Sequence, residues 1–353
     1  MILNMKVIFR TSFFCFAIFC FAIFCIALQS LFFSSCQRTQ ASDSQETGSL
    51  ILGFSQIGAE SAWRLRNTQS VQDAAAASGV QLIYFNAEQK QENQIRAIRS
   101  FIAYQVDVIA FVPIVSDGWM HVLEEAQFAG IPVLICDREI NVSNENLYAG
   151  FIGTNSKQEG LIAADFLLQK FADDNQGSVR INRPIRIVEL SGTEGSSVAI
   201  NRGLGFRELL DEHNAGTEGP KFEIIYSASG DFLRSKGYEL MSLILDSNIE
   251  DIDVVYSHND SMTLGAIEAM KERGIRPGTD IVIVSIDAEQ AAIEALRRGE
   301  INCVVECNPN QGTNILRLAS LLAQGETIPR ITYMYSRVFT EWDDLSLILP
   351  RGY

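Results

Sequence analysis

From residue 50 onward the chain repeats one pattern: short apolar runs rich in β-branched residues alternate with longer amphipathic stretches. Strands are expected over 50–54, 81–85, 108–112, 133–136, 148–152, 185–190, 223–227, 254–257, 281–286 and 303–306. Helices are expected between them, over 63–78, 92–104, 118–129, 158–171, 199–213, 233–245, 262–273, 291–298 and 310–322. Breakers fall at the joints, at Gly130-Ile131-Pro132, Gly219-Pro220 and Arg276-Pro277-Gly278. Strand–helix alternation means βαβ units and parallel sheets. Ten strands exceed one comfortable open sheet, and 353 residues suit about two domains. The fold class expected is α/β, with two doubly wound, Rossmann-like lobes facing each other across a cleft. The first lobe takes the units up to about Gly153.

The first 35 residues differ from the rest. Lys6 and Arg10 form a short positive start and no acid follows. Residues 12–33 (SFFCFAIFCFAIFCIALQSLFF) are a long apolar run, ending in Ser34-Ser35-Cys36. A positive start, an apolar middle and small residues before a cut site mark an export signal. An uncleaved anchor is the alternative, because about 20 apolar residues span a bilayer. Cys36 favours cleavage: Phe32-Phe33-Ser34-Ser35-Cys36 resembles the lipobox of bacterial lipoproteins, with Phe33 where Leu is usual. Both readings put the rest of the chain outside the cytoplasm, in the periplasm or cell envelope. Residues 37–47 (QRTQASDSQET) read as a flexible leash with a reach of roughly 18 Å.

The whole chain carries 28 basic and 43 acidic residues, a net charge of −15. Without Lys6 and Arg10 the balance is 26 against 43, or −17. Such a surface repels phosphates, which argues against nucleic acid and against docking on anionic lipid. Four of seven cysteines lie at or before Cys36, leaving Cys136, Cys303 and Cys307. Cys303 and Cys307 in one strand would sit about 13 Å apart, too far for a disulfide. They read as small buried hydrophobes, with a bridge from Cys136 to one of them left open. The three lack metal spacing, and no cofactor is implied.

In open parallel sheets, ligands sit beyond the carboxyl ends of the strands. Those ends here carry Asp137-Arg138, His258-Asn259-Asp260, Asp287 and Glu306, while the first strand leads into Glu60, Trp63 and Arg64. Polar groups of mixed sign suit a neutral polyhydroxylated ligand, since carboxylates and Asn accept from hydroxyls and Arg donates paired bonds. Trp63 and Phe232 offer flat faces for the C–H side of a sugar ring. Each residue also has a plain structural reading. Asp-Arg doublets form surface ion pairs, Asn259 and Asp287 suit helix caps, and Arg202 suits a solvated charge. Trp63 suits a core position and His258 a satisfied structural histidine.

The stretches 53–64 (GFSQIGAESAWR), 89–95 (QKQENQI), 137–138 (DR), 189–203 (ELSGTEGSSVAINRG), 229–237 (SGDFLRSKG) and 257–260 (SHND) together resemble the type I periplasmic sugar-binding proteins of ABC importers. The likeness is strongest to the galactofuranose-binding branch of this ribose/galactose-binding family, and runs from about residue 50 to 339. It implies two lobes joined by a three-strand hinge that close over one monosaccharide. With the N-terminal reading, the chain is expected to divide into a signal peptide and lipobox at 1–36 and a leash at 37–47. An N-terminal lobe takes 48–154 with 308–335, and a C-terminal lobe 155–307 with 336–353. Asp137 and Arg138 match the doublet that grips ring hydroxyls, Arg202 the arginine of the second lobe, Asn259 and Asp287 two acceptors, and Phe232 an aromatic wall. Trp63 falls at a stacking position; Arg64 beside it, with Glu60, matches the galactofuranose branch. Asn155 lies at the first crossover and Glu306 near the third.

The expected function is capture of a monosaccharide, galactofuranose or a related sugar, for delivery to an ABC importer permease. The expected state is a monomer touching the membrane only through lipid on Cys36. Presentation of the sugar to a chemoreceptor or sensor kinase is the alternative. A sugar-sensing repressor would need a DNA-binding head in place of the export signal. An enzyme is not expected, as no dinucleotide fingerprint, P-loop or nucleophile elbow is present. Arg138→Ala or Arg202→Ala is expected to abolish binding and leave the fold intact.

Overall fold

The apolar runs become strands with almost no exposure: Val108–Phe111, Val133–Cys136, Val254–Ser257 and Cys303–Glu306 are buried throughout. Strands covered on both faces need continuous apolar sequence, and parallel sheets supply that setting. The structure, a computed structural model, describes residues 49–172, 183–216, 219–247 and 251–353. The expected export segment, Cys36 and the expected leash at 37–47 lie outside the described residues.

In chain order the first half contains β1 (Ile51–Gln56), α1 (Ala62–Ser78), β2 (Gln81–Asn86), α2 (Gln91–Tyr104), β3 (Val108–Phe111), α3 (Met120–Phe128), β4 (Val133–Cys136) and β5 (Gly150–Gly153). The second half contains α4 (Ser156–Phe171), β6 (Ile185–Ser191), α5 (Ser197–Ala215), β7 (Phe222–Ser229), α6 (Arg234–Leu245), β8 (Val254–Ser257), α7 (Asp260–Glu272), β9 (Val282–Asp287), α8 (Gln290–Arg297) and β10 (Cys303–Glu306). Then come α9 (Gly312–Ala323), β11 (Ile331–Tyr333) and β12 (Val338–Thr340). Helix starts follow local chemistry. Ser61, Asn155, Ser196 and Asn259 each accept a hydrogen bond from a first-turn amide, as N-caps do. Gly79 ends α1 in the left-handed conformation at φ 66°.

Two six-stranded sheets result. One has the order β11-β5-β4-β3-β1-β2, the other β12-β10-β9-β8-β6-β7. Both repeat one winding, in which the order reverses beside the first strand of the lobe. All pairings are parallel except β12 on β10. The chain crosses between lobes after β5, after β10 and between β11 and β12, making the three-strand hinge. β11 and β12 are additions to the sequence reading. They are three residues each, and of the six only Phe339 is buried, so no apolar run announces them.

Each sheet is covered on both faces by apolar clusters. Leu52, Phe54, Val108 and Leu134 pack with α9 on one face of the first sheet; Ile109, Phe111, Val133 and Ile135 pack with Trp119 on the other. In the second lobe α4 and α5 cross at glycines. A Cβ on Gly205 would lie 2.0 Å from the Lys157 carbonyl oxygen, and one on Gly160 2.2 Å from that of Arg202. The backbones therefore touch directly, which fixes the helix that carries Arg202.

Candidate functional site

Both sheets aim the carboxyl ends of their strands at the same space, and each order reversal opens a crevice there. From the first lobe, Ser61 caps α1 by accepting from the Arg64 N–H at 3.1 Å, placing Glu60, Trp63 and Arg64 at the mouth of β1. Asp137 and Arg138 follow β4. From the second lobe, α5 brings Arg202, the turn after β7 brings Phe232, and Asn259 and Asp287 end β8 and β9. These nine, with Ser61, Val198 and Cys307, line one cleft. Its non-atom space, counted out to open solvent, is about 290 Å³. Asp137 (φ 62°), Phe232 (φ 62°) and Asp287 (φ 128°) hold positive φ. Such backbone costs of order 1–3 kcal/mol per residue and clusters where function over-determines it.

The three arginines are held by carboxylates. The Arg64 guanidinium donates to Asp137 at 2.7 Å and, through Nε, to Glu60 at 3.3 Å. Arg138 donates to the same Glu60 oxygen at 2.7 Å and to the Ile114 carbonyl at 3.1 Å. Arg202 donates to Glu159 at 2.8 Å and to the His258 carbonyl, and lies 3.5 Å from Asp287. Burial opposes the charge on Arg64, but Asp137 and Glu60 outweigh it and its pKa rises. Burial lowers that of Arg138 against the pull of Glu60. Burial also raises the Asp287 carboxyl well above its usual range, with Arg202 opposing. Formal charges on the lining balance: Arg64, Arg138 and Arg202 against Glu60, Asp137 and Asp287. Two buried donors in the lining, one terminal nitrogen of Arg64 and Nε of Arg138, make no hydrogen bond within the protein. Such donors cost roughly 1–3 kcal/mol, which a ligand hydroxyl would relieve. Phe232 faces the Arg138 guanidinium at 5.1 Å.

A second layer holds these groups. Asn259 is both cap and lining residue: its carbonyl accepts from the Met262 N–H at 3.0 Å and its amide donates to the Phe232 carbonyl at 3.1 Å. Asp287 caps no helix; Glu289 stands at the N-cap position of α8. His258 is a satisfied structural histidine. Its Nδ1 accepts from the Gly192 N–H at 3.4 Å and Nε2 lies 3.1 Å from Glu189; burial lowers its pKa. Cys136, Cys303 and Cys307 are buried and unbridged, so no disulfide forms from Cys136.

Asn155 and Glu306 lie outside the lining. The Asn155 side chain is spent as the cap of α4, accepting from the Gln158 N–H at 3.0 Å. Glu306 accepts from the Arg337 N–H at 3.2 Å and pairs with Arg351, whose Nε donates to the Ala288 carbonyl at 3.1 Å. It ties the hinge and the chain's last residues to the loop behind Asp287. Glu306→Gln is therefore expected to change ligand affinity by less than about threefold, while costing about 1–2 kcal/mol in urea unfolding; a hundredfold loss of affinity would put it in the cleft. Ser61, Val198 and Cys307 carried no signal in the sequence. Glu159 and Glu289 act one layer back, where strand-end reasoning does not reach.

Among the described residues no group of three or more His, Cys, Asp or Glu is placed to hold a metal, and no helix is long and apolar enough to cross a membrane. Two doubly wound lobes around one charge-balanced, buried cleft define a two-lobed solute-binding protein. The chain belongs to the periplasmic binding protein family, whose domain profile matches residues 52–327. It is 43% identical to the galactofuranose-binding protein YtfQ of Escherichia coli over 263 residues, 74% of this chain and 78% of that one. A solved structure from Mycobacterium smegmatis in complex with β-D-fucofuranose is 42% identical, with a TM-score of 0.77 over 83% of this chain and 92% of that one. The periplasmic binding component of the arabinose ABC transporter from Shewanella sp. ANA-3, bound to α- and β-L-arabinofuranose, is 38% identical, with a TM-score of 0.75 over 82% and 92%. The Escherichia coli and Shewanella relatives are binding proteins, and by its family this chain is a binding protein and not an enzyme.

Proposed function

We propose that this protein captures a monosaccharide in its furanose form, galactofuranose or a related sugar, and delivers it to an ABC importer. The observation that carries this reading is the cleft itself: three buried arginines from both lobes, each set by a carboxylate, around a formally neutral space. A neutral polyol can meet every one of those groups; an anion would meet the carboxylates as well as the arginines. The furanose ligands of the two solved relatives support the ring form. Glu60, Trp63, Arg64, Asp137, Arg138, Arg202, Phe232, Asn259 and Asp287 are the residues assigned to the ligand. Cys36 is the assigned lipid attachment, and the protein is read as a monomeric lipoprotein of the cell envelope.

The test is isothermal titration of the full chain, in a sugar-free detergent, with galactose, a stable galactofuranoside and ribose. Micromolar affinity or tighter is expected for the furanoside, about −8 kcal/mol at 1 μM. Galactose solutions hold a small furanose fraction, so only a small part of added galactose should count. Full-stoichiometry binding of ribose, or no binding of any of the three, overturns the furanose assignment.

A further inference from the structure

Trp63 belongs to the first lobe by sequence, yet its ring packs in the core of the second. It lies in one apolar cluster with Phe166, Phe206, Val305 and Cys307 and is 3% exposed. Its indole N–H donates to the Cys307 carbonyl at 2.5 Å. Its backbone N–H opens α1 and has no partner in its own helix, like the first amides of any helix. That N–H instead donates to Glu289 of the second lobe at 3.1 Å. Glu289 is held ready for it: its own N–H donates to Asp260 at 2.6 Å, and Ser261 donates to the same Glu289 oxygen at 3.4 Å. Glu289 is buried but does not line the cleft. A carboxylate at a helix N-terminus is also favoured by the helix dipole.

We propose that Glu289 is a positioning residue for ligand retention: it caps α1 from the opposite lobe and latches the cleft shut without touching the ligand. The latch forms only when the lobes meet, so its free energy adds to the closed state alone. It acts on release more than on capture, because the ligand enters before the cap is made. The proposal rests on the cleft being the ligand site. Two rim contacts, from Ser116 N–H to the Gly195 carbonyl at 2.9 Å and from Glu139 N–H to Ser197 at 2.7 Å, remain when the latch is removed.

The experiment compares wild type with Glu289→Ala and Glu289→Gln as full chains in detergent. Stopped-flow gives furanoside dissociation and NMR gives exchange of the Trp63 amide hydrogen. Glu289→Ala should release ligand roughly 10- to 100-fold faster, the range for one hydrogen bond to a charged group, with little change in association. Glu289→Gln keeps an acceptor oxygen and should stay within about threefold. If Glu289→Ala does not fold cooperatively, Glu289→Asp, which keeps the charge but is one methylene too short to reach the Trp63 N–H, should also release faster. Wild-type dissociation in Glu289→Ala overturns the latch. So does an amide at Trp63 that exchanges no faster in Glu289→Ala than in wild type. If wild type binds no sugar, the furanose reading fails instead, and the amide exchange still decides the latch.

Discussion

Gly205→Val should cost roughly 3 kcal/mol or more of stability, read from the urea midpoint. At that position the new Cβ would stand 2.0 Å from the Lys157 carbonyl oxygen. Neither partner can swing aside, because both are helix backbone. Overpacking of a core usually costs about 1–3 kcal/mol, and that range assumes side chains that yield. Here α4 and α5 must part, and α5 carries Arg202 one turn away, so ligand affinity should fall in the same variant. Gly203→Ala on the same helix is the control. Its Cβ meets the Arg207 guanidinium at 2.9 Å. That side chain is paired with Glu189 at 2.8 Å but is partly exposed and can shift a few tenths of an ångström where backbone cannot. Alanine also gains about 1 kcal/mol of helix propensity over glycine. Gly203→Ala should be neutral or stabilising. Equal losses in the two variants would show that the helices do not meet through Gly205.

Arg138→Ala should lower ligand affinity at least 100-fold with little loss of stability. Each hydrogen bond to a charged group is worth about 1.5–3 kcal/mol, and two such bonds to ligand hydroxyls give 10²-fold or more. Stability holds because Glu60 keeps Arg64 at 3.3 Å when Arg138 is gone. Arg202→Ala is a different experiment, although the sequence reading paired the two. Among the described residues Glu159 has one ion-pair partner, Arg202, and Asp287 leans on the same guanidinium. Removing it leaves buried carboxylates uncompensated, a loss of about 3–5 kcal/mol. Titration and urea unfolding of both variants separate the roles. Full affinity in Arg138→Ala would place the ligand elsewhere.

The βαβ rhythm was legible because strands buried on both faces must be apolar throughout and helices amphipathic. β1 to β10 therefore stood out, while β11 and β12 did not: their six residues include Thr332, Tyr333 and Thr340 and border no long apolar run. The cleft was legible for a topological reason, since strand ends of parallel sheets converge. That rule reaches the residues at the ends and no further. Asn155 and Glu306 obey it in position, yet a backbone amide and an arginine take up their side chains. Nor does the rule reach Glu289, whose work depends on meeting a helix from the other lobe.

The three crossings of the hinge also set an order of folding. β5 is finished at Gly153, but its outer neighbour, β11, is drawn from residues 331–333. β10 likewise waits for residues 338–340. Neither lobe is a continuous stretch of chain, so neither sheet gains its last strand until almost the whole polypeptide has been made. Pairings this distant in sequence form late, because loop closure must precede the contacts that reward it. A nascent chain of this design lacks a finished lobe until nearly its last residues have been made.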